Sequence, residues 1–388
     1  MTAVSYGREV ALSSRRERRS LLALLRHVDL VLVGSALALA LLGIVLVYTA
    51  TRDALVQQGL SSHYYLERQA LWVVVGIVVM VVVASIDYHK FRNWGYGIYG
   101  LVVLGLAGVF VVGKSALGAQ RWYGLGPLQL QPSEFAALGL IVALATYCSR
   151  RRGVLSLRET AGLLALAAVP MLLVYKQPDL GTAIVLGVTL AAVMLAAEVR
   201  LRHLLLLAVL VAVAFVAALE LHLLHSYQLS RLTSFLHQNQ DIQGANYELY
   251  TTKLAISAGG LKGVGLGHGL ATDLSLIPNQ STDFIFSALG EQLGFIGSAA
   301  VIGLFGLLAF RILRAAQTAR DSFGRLLCVG ALAFFAFSVF ENIGMNIGLM
   351  PITGIPLPFL SYGGSATFAF FATIGLVLNV EMRRVTRR

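Results

Sequence analysis

The stretch PNQSTDFIFSALGEQLG, Pro278 to Gly294, sets the carboxylate of Asp283 directly against a strongly apolar run. Two roles are open to an acid there. It can cap the helix that the run opens, because Ser, Thr and Asp accept hydrogen bonds from first-turn amides. It can also serve as a general base, since an ionisable group at the boundary of an apolar layer marks a functional site by default. Glu291 lies about two turns further on and roughly on the same face, so both carboxylates could look into one cavity. Upstream, GKSALGAQRWYGLGPLQLQPSE gathers Lys114, Arg121, Trp122, Tyr123 and Glu134. The planar guanidinium of Arg121 suits bidentate anions such as phosphates, while Trp122 and Tyr123 also fit an ordinary interfacial belt. YKQPDLGTA sets Lys176 and Asp179 at a hinge that Pro178 alone can explain, and Asp179 reads equally as a cap. Glycines 259, 260, 263, 265, 267 and 269 match neither nucleotide fingerprint. They leave a flexible or re-entrant turn, or an amide cradle for a phosphate. His222 and His225 share a face, with His237 further on, but no third clustered ligand makes a metal site.

These groups need a scaffold, and the composition says which kind. The 388 residues are 57% hydrophobic and 13% charged, with a mean hydropathy of +0.77, well outside the soluble range. Apolar runs near 20 residues, enough to cross about 30 Å of hydrocarbon, fall near 28–50, 69–86, 96–113, 133–149, 160–175, 178–197, 202–220, 284–310, 325–347 and 363–381. The expected fold is all-α: a polytopic integral membrane protein of about ten transmembrane helices, with a large extracytoplasmic loop, 221–283, before the eighth span. The first run is too long for a signal peptide and lacks its cleavage site, so it reads as span one. Residues 1–26 read as a basic cytoplasmic tail and 27–388 as a single transmembrane domain.

Lys and Arg accumulate on the cytoplasmic side of such proteins. With the N-terminus inside, 22 of the 30 basic residues fall there, and the outer side keeps Arg52, Arg68, Lys114, Arg121, Lys176, Arg231, Lys253 and Lys262. Both termini are then cytoplasmic. The net charge of +11 is topology rather than nucleic-acid affinity, there being no basic, aromatic-interleaved domain. Cys148 and Cys328 fall near cytoplasmic span ends, which argues against a structural disulfide. The proline- and glycine-rich segment GMNIGLMPITGIPLPFLSYGGSA, 344–366, reads as a cavity wall, since irregular backbone persists at membrane depth only where protein or a cavity adjoins it. Glu341 must then face the protein interior or a partner.

Taken in order, GAQRWYGLGPLQLQPSE, QPDLGTA, AISAGGLKGVGLGHG, TDFIFSALGEQLG and the 344–366 segment resemble the SEDS family of cell-wall polymerases, the FtsW, RodA and SpoVE group. The likeness covers essentially all ten spans. KSALGAQRW, NIGM and the short C-terminal tail are nearer the RodA-like elongation branch, GVGLG nearer the division branch. The resemblance implies a peptidoglycan glycosyltransferase of the bacterial cytoplasmic (inner) membrane. It would polymerise lipid II at the outer face during cell elongation and shape control. Asp283 matches the family's essential aspartate, the general base for the acceptor GlcNAc 4-hydroxyl as it attacks MurNAc C1 with inversion. Arg121, helped by Lys114 and Lys253 or by a divalent cation, Mg or Mn, would stabilise the pyrophosphate, and Glu134 and Asp179 complete the substrate-binding set. No nucleotide is implied. The implied partner is a class B penicillin-binding protein, a transpeptidase of the elongation machinery. A lipid II flippase and a non-catalytic scaffold for a cell-wall synthase stay open beside the polymerase. The chain departs from the family pattern at Ala137, where a lysine usually stands one turn from Glu134, and at Ser281, Asn279, Gln292 and Thr251.

Overall fold

The computed structural model describes residues 27–116, 119–125, 128–151, 153–220, 226–238, 240–241, 243–244 and 246–384. The basic stretch 1–26, His222 and His225 lie outside the described residues. Three long helices come first: α1 (Leu30–Gln57), α2 (Tyr64–Ser85) and α3 (Tyr88–Val112). Three short strands follow, β1 (Lys114–Ala116), β2 (Ala119–Leu125) and β3 (Leu128–Leu130), then helices α4 (Pro132–Ser149), α5 (Leu157–Lys176), α6 (Leu180–Ala196) and α7 (Leu201–Glu220). The expected large loop carries α8 (Ser226–Leu236), α9 (Tyr247–Ala258) and α10 (Leu270–Asp273), before α11 (Ile285–Thr318), α12 (Ser322–Ile347) and α13 (Gly364–Arg383) close the chain.

Eight of these helices are long and apolar enough to cross a membrane; two further expected spans coincide with the shorter apolar helices Leu180–Ala196 and Leu201–Val213. Acidic and hydroxyl side chains mark where helices begin, as capping chemistry requires. Asp29 Oδ1 accepts from Val31 N and Leu32 N at 3.1 Å, Asp321 caps α12 through Gly324 N, and Ser156 with Glu159 forms a capping box on α5. Asp29 also binds the Arg311 guanidinium at 2.6 Å, tying the starts of α1 and the far end of α11 together. The two cysteines are free and buried.

The all-α expectation holds, with one small sheet beside the helices. The strands β1, β2 and β3 pair antiparallel in the order β1-β2-β3, with Lys114 opposite Trp122 and Tyr123 opposite Leu130. The alternation is too short to register as a strand signal, and the strands gain from tertiary contact: the Tyr123 hydroxyl donates to Gly105 O at 2.8 Å.

The most enclosed helix is α13, which packs on α2 through small residues. A Cβ at Gly375 would lie 2.7 Å from Met80 O, so only glycine permits this approach. On the other side of the core, α1 presses Gly43 onto the backbone of Phe359 and Leu360, where a Cβ would meet Leu360 Cα at 2.9 Å. Gly34, on the same helix, has nothing within 4 Å of its would-be Cβ. Gly43→Val is expected to lower the thermal unfolding temperature in detergent, at a cost of about 1–3 kcal/mol. Gly34→Val is expected to leave it unchanged; equal melting of the two variants would show that the α1 contact carries no strain.

Candidate active site

Asp283 sits in the turn that leads into α11. Its amide donates to Asn279 O at 3.0 Å. Its carbonyl accepts from Asn342 Nδ2 at 2.8 Å and Asn346 Nδ2 at 3.3 Å, both on α12 and both fully buried. Asn342 Nδ2 also reaches Ile355 O at 2.7 Å. Ser361 Oγ donates to Thr282 O, and Tyr362 N to Ser281 O at 2.8 Å. The main chain around Asp283 is thus held from three sides, while its side chain caps nothing: the cap position of α11 is Phe284, without a side-chain hydrogen bond. Of the two roles open to Asp283 in the sequence, the capping one is removed.

Arg121 extends from β2 to the α5–α6 hinge, where Nε donates to Gln177 O at 2.7 Å and a terminal nitrogen to Pro178 O. Asp179, next along, accepts from Thr182 N (3.1 Å), Thr182 Oγ1 (3.0 Å) and Ser133 Oγ (3.2 Å), so it does cap α6. Glu134 stands in the first turn of α4, where the helix dipole favours an acid. This turn is fixed to α13 by Gln131 N donating to Ser365 Oγ at 2.9 Å.

Arg121, Glu134, Asp179 and Asp283 line one cavity of about 450 Å³, together with Arg231 of α8, Trp72, Trp122, Thr182 and Tyr362. Three carboxyl groups and two guanidinium groups therefore share one polar chamber. Burial pushes the Asp283 carboxyl up to about 6; Thr282 and Arg231 pull it down, while Glu248 and Asp179 push it up. On its far side Glu134 shares a small cavity of about 10 Å³ with Ala137, the position where the resembling family usually places a lysine.

Other expected site residues lie elsewhere. Lys114 sits on β1 opposite Trp122. Lys253 does not line the cavity; its Nζ donates to Gln238 Oε1 beside the end of α12. Glu291 does not share the cavity with Asp283. It is buried and accepts from Ala271 N (2.8 Å), Thr272 N (3.2 Å) and Thr272 Oγ1 (2.7 Å), which makes it the cap of α10. Glu341 is buried and accepts from Thr353 Oγ1, itself a cavity residue. The glycine-rich segment packs on a break in α11 at Gly294 (φ 64°, ψ −163°). There Val264 N donates to Glu291 O and Phe295 N to Gly260 O, so its glycines serve close packing rather than a phosphate. Among the described residues no three His, Cys, Asp or Glu side chains are grouped to hold a metal ion.

The profile of the FtsW/RodA/SpoVE family, described as "Cell cycle protein", matches residues 29–386. The chain belongs to this family. It is 37% identical over 362 residues to a probable peptidoglycan glycosyltransferase FtsW of Trichlorobacter lovleyi, covering 92% of this chain and 94% of that one. It is equally 37% identical over 319 residues to the peptidoglycan glycosyltransferase MrdB of Escherichia coli, covering 82% and 86%. Among solved structures it is similar, with a TM-score of 0.78 and 30% identity over 93% of this chain and 99% of the other, to one titled "Structural coordination of polymerization and crosslinking by a peptidoglycan synthase complex".

In this FtsW/RodA/SpoVE protein the second cation of the cavity, beside Arg121, is Arg231. It was visible only as one of eight outer cations, because α8 brings it to the cavity from a distant part of the chain. Two carboxylates now make opposite predictions. Glu291→Gln replaces an acceptor oxygen by a donor facing donors and is expected to destabilise by about 1–3 kcal/mol. Asp283→Asn is expected to stabilise, because burial penalises the ionised form: the folded carboxyl titrates near 6 against an ordinary 3.8. That penalty is absent below the unfolded value, grows as pH rises between the two values, and is full above the folded one. Thermal unfolding in detergent should therefore show the asparagine variant melting higher at about pH 7.5 and equal to wild type at about pH 3.5. A wild type that melts higher at neutral pH would contradict the burial account.

Proposed function

We propose that this protein, a peptidoglycan glycosyltransferase of the FtsW/RodA/SpoVE family, polymerises lipid II at the outer face of the bacterial inner membrane in cell elongation and shape control. The observation that carries the reading is the uncapped Asp283 carboxylate in a chamber shared with Arg121 and Arg231. A carboxyl that titrates near 6 is well matched to general-base work at neutral pH, where it is ionised yet basic enough to take a proton. The excess of basic residues on one side of the expected spans supports the orientation, with the cavity facing outward and both termini cytoplasmic.

The chemistry is a single displacement. Asp283 takes the proton of the acceptor GlcNAc 4-hydroxyl, whose oxygen attacks C1 of the donor MurNAc. The C1–O bond to pyrophosphate breaks and the configuration inverts. The undecaprenyl pyrophosphate leaves as an anion, and Asp283 later returns its proton to solvent. Arg121, fixed by two carbonyls, and Arg231 offer preorganised charge where the leaving group develops it. Glu134 and Asp179 would orient the sugar hydroxyls as acceptors. The expected Mg or Mn would enter this scheme with the substrate, as a counter-ion of its pyrophosphate; among the described residues no three His, Cys, Asp or Glu side chains are grouped as a resident site. A class B penicillin-binding protein is the proposed partner, coupling crosslinking to polymerisation.

Purified protein in detergent, alone and with its penicillin-binding protein, is to be incubated with labelled lipid II and Mg or Mn, and the products resolved by size. Wild type is expected to make long glycan and Asp283→Ala none, with initial rates falling as pH drops through about 6. Arg231→Ala is expected to lose about a hundredfold in rate, and Lys253→Ala far less. Polymer from Asp283→Ala would remove the general-base role, and no polymer from wild type with its partner would remove the polymerase reading.

A further inference from the structure

Arg231 enters the chamber from α8, a helix of 11 residues. A helix that short needs tertiary contacts to keep its place. Its far end is gripped by side chains. Asn246 Nδ2 donates to His237 O at 3.0 Å and to Gln240 O at 2.6 Å, and Gln238 Nε2 donates to Gly348 O at 2.8 Å. Gln238 follows Arg231 by about two helical turns, and His237 N still donates to Thr233 O at 2.9 Å, so the two side chains leave α8 on roughly the same side.

A second partner settles which way the Gln238 amide points. Lys253 Nζ, from α9, can only donate, and it donates to Gln238 Oε1. The amide N–H must then face Gly348 O, and the ammonium charge strengthens the pair. Gly348 in turn has to be glycine. It closes α12 at φ 80°, and a Cβ there would stand 2.6 Å from Lys253 Cε and 2.8 Å from Gln238 Oε1. Gly348 lies just beyond Asn346, which with Asn342 holds the Asp283 carbonyl. One helix end therefore grips both the acid of the chamber, through its main chain, and the segment that carries the cation.

Resting on the glycosyltransferase reading above, we propose that Gln238 is a positioning residue for Arg231: the Lys253, Gln238 and Gly348 contact holds α8 so that the guanidinium stands where the pyrophosphate departs. Gln238 is not part of the chamber lining and acts through Arg231. Its effect falls on the transition state rather than on substrate binding, because charge develops on the leaving oxygen only as the C1–O bond breaks. A loosened α8 keeps the cation near the chamber but out of register with that charge.

The test is steady-state polymerisation of lipid II by the full-length protein with its penicillin-binding protein. Gln238→Leu and Gly348→Ala are each made in the wild-type and the Arg231→Ala backgrounds. Titration with labelled lipid II counts the binding-competent molecules, and rates are expressed per competent molecule. Each variant is expected to lower kcat about tenfold in the wild-type background, with KM within about twofold. Each is expected to change the rate of Arg231→Ala by less than about twofold, because no guanidinium is left to position. Gly348→Ala reaches the contact from α12, so either variant serves if the other does not elute as a folded species. The positioning role falls, and the glycosyltransferase reading stands, if the losses multiply in the Arg231→Ala background, if KM rises at unchanged kcat, or if the variants turn over like wild type. It falls equally if Arg231→Ala itself turns over like wild type. If wild type makes no polymer, both fall.

Discussion

The cavity end of this protein depends on one carbonyl, that of Asp283. A peptide oxygen has two lone pairs, and Asn342 and Asn346, one helical turn apart on α12, each place an amide N–H on it. Because both amides are fully buried, these hydrogen bonds act in a medium of low dielectric and resist exchange with water. The grip of α12 is on the main chain, and the carboxylate itself is touched by the neighbouring Thr282 side chain. The carboxylate is held in place without being spent, which a side-chain cap could not achieve. Asn342 carries the same restraint on to Ile355 O, and Ser361 closes the ring at Thr282 O.

The fate of each acid follows from which donors reach it. Asp179 collects an amide and two hydroxyls and so organises a helix start while still facing the chamber. Glu291 is consumed by two amides and a hydroxyl of α10, and Glu341 is bound by Thr353 below the cavity floor. Asp283 is the acid whose anchoring and chemistry are carried by different atoms of the residue. Arg121 shows the same economy in reverse: two carbonyls orient its guanidinium, and its remaining N–H groups stay available to an anion.

Hydropathy alone located the long apolar helices, because a run of some 20 apolar residues has few alternatives in a chain of this composition, but it gave no sign of α8, α9 and α10 inside the expected loop. It misplaced their ends where polar turns continue the helix. The expected span 96–113 begins at Tyr88, since YHKFRNWG is helical yet too polar for an apolar window. Helical periodicity put Glu291 on the face of Asp283, but no local pattern could show that the amides of residues 271 and 272 would fold back onto it. Arg231 was hidden for the same reason, its importance being a matter of where α8 lands. Asp283, Arg121, Glu134 and Asp179 were legible because each lies in a motif whose neighbours also belong to the cavity.

The break at Gly294 leaves the second part of α11 with first-turn amides that neither water nor lipid needs to satisfy. Phe295 N and Ile296 N donate to Gly260 O and Leu261 O, while Val264 N and Gly265 N donate back to Glu291 O and Gln292 O. The two stretches complete each other like halves of a seam. Neither can drift in sequence or in length by itself, so across descendants of this chain residues 259–265 and 290–296 must vary as one inherited unit.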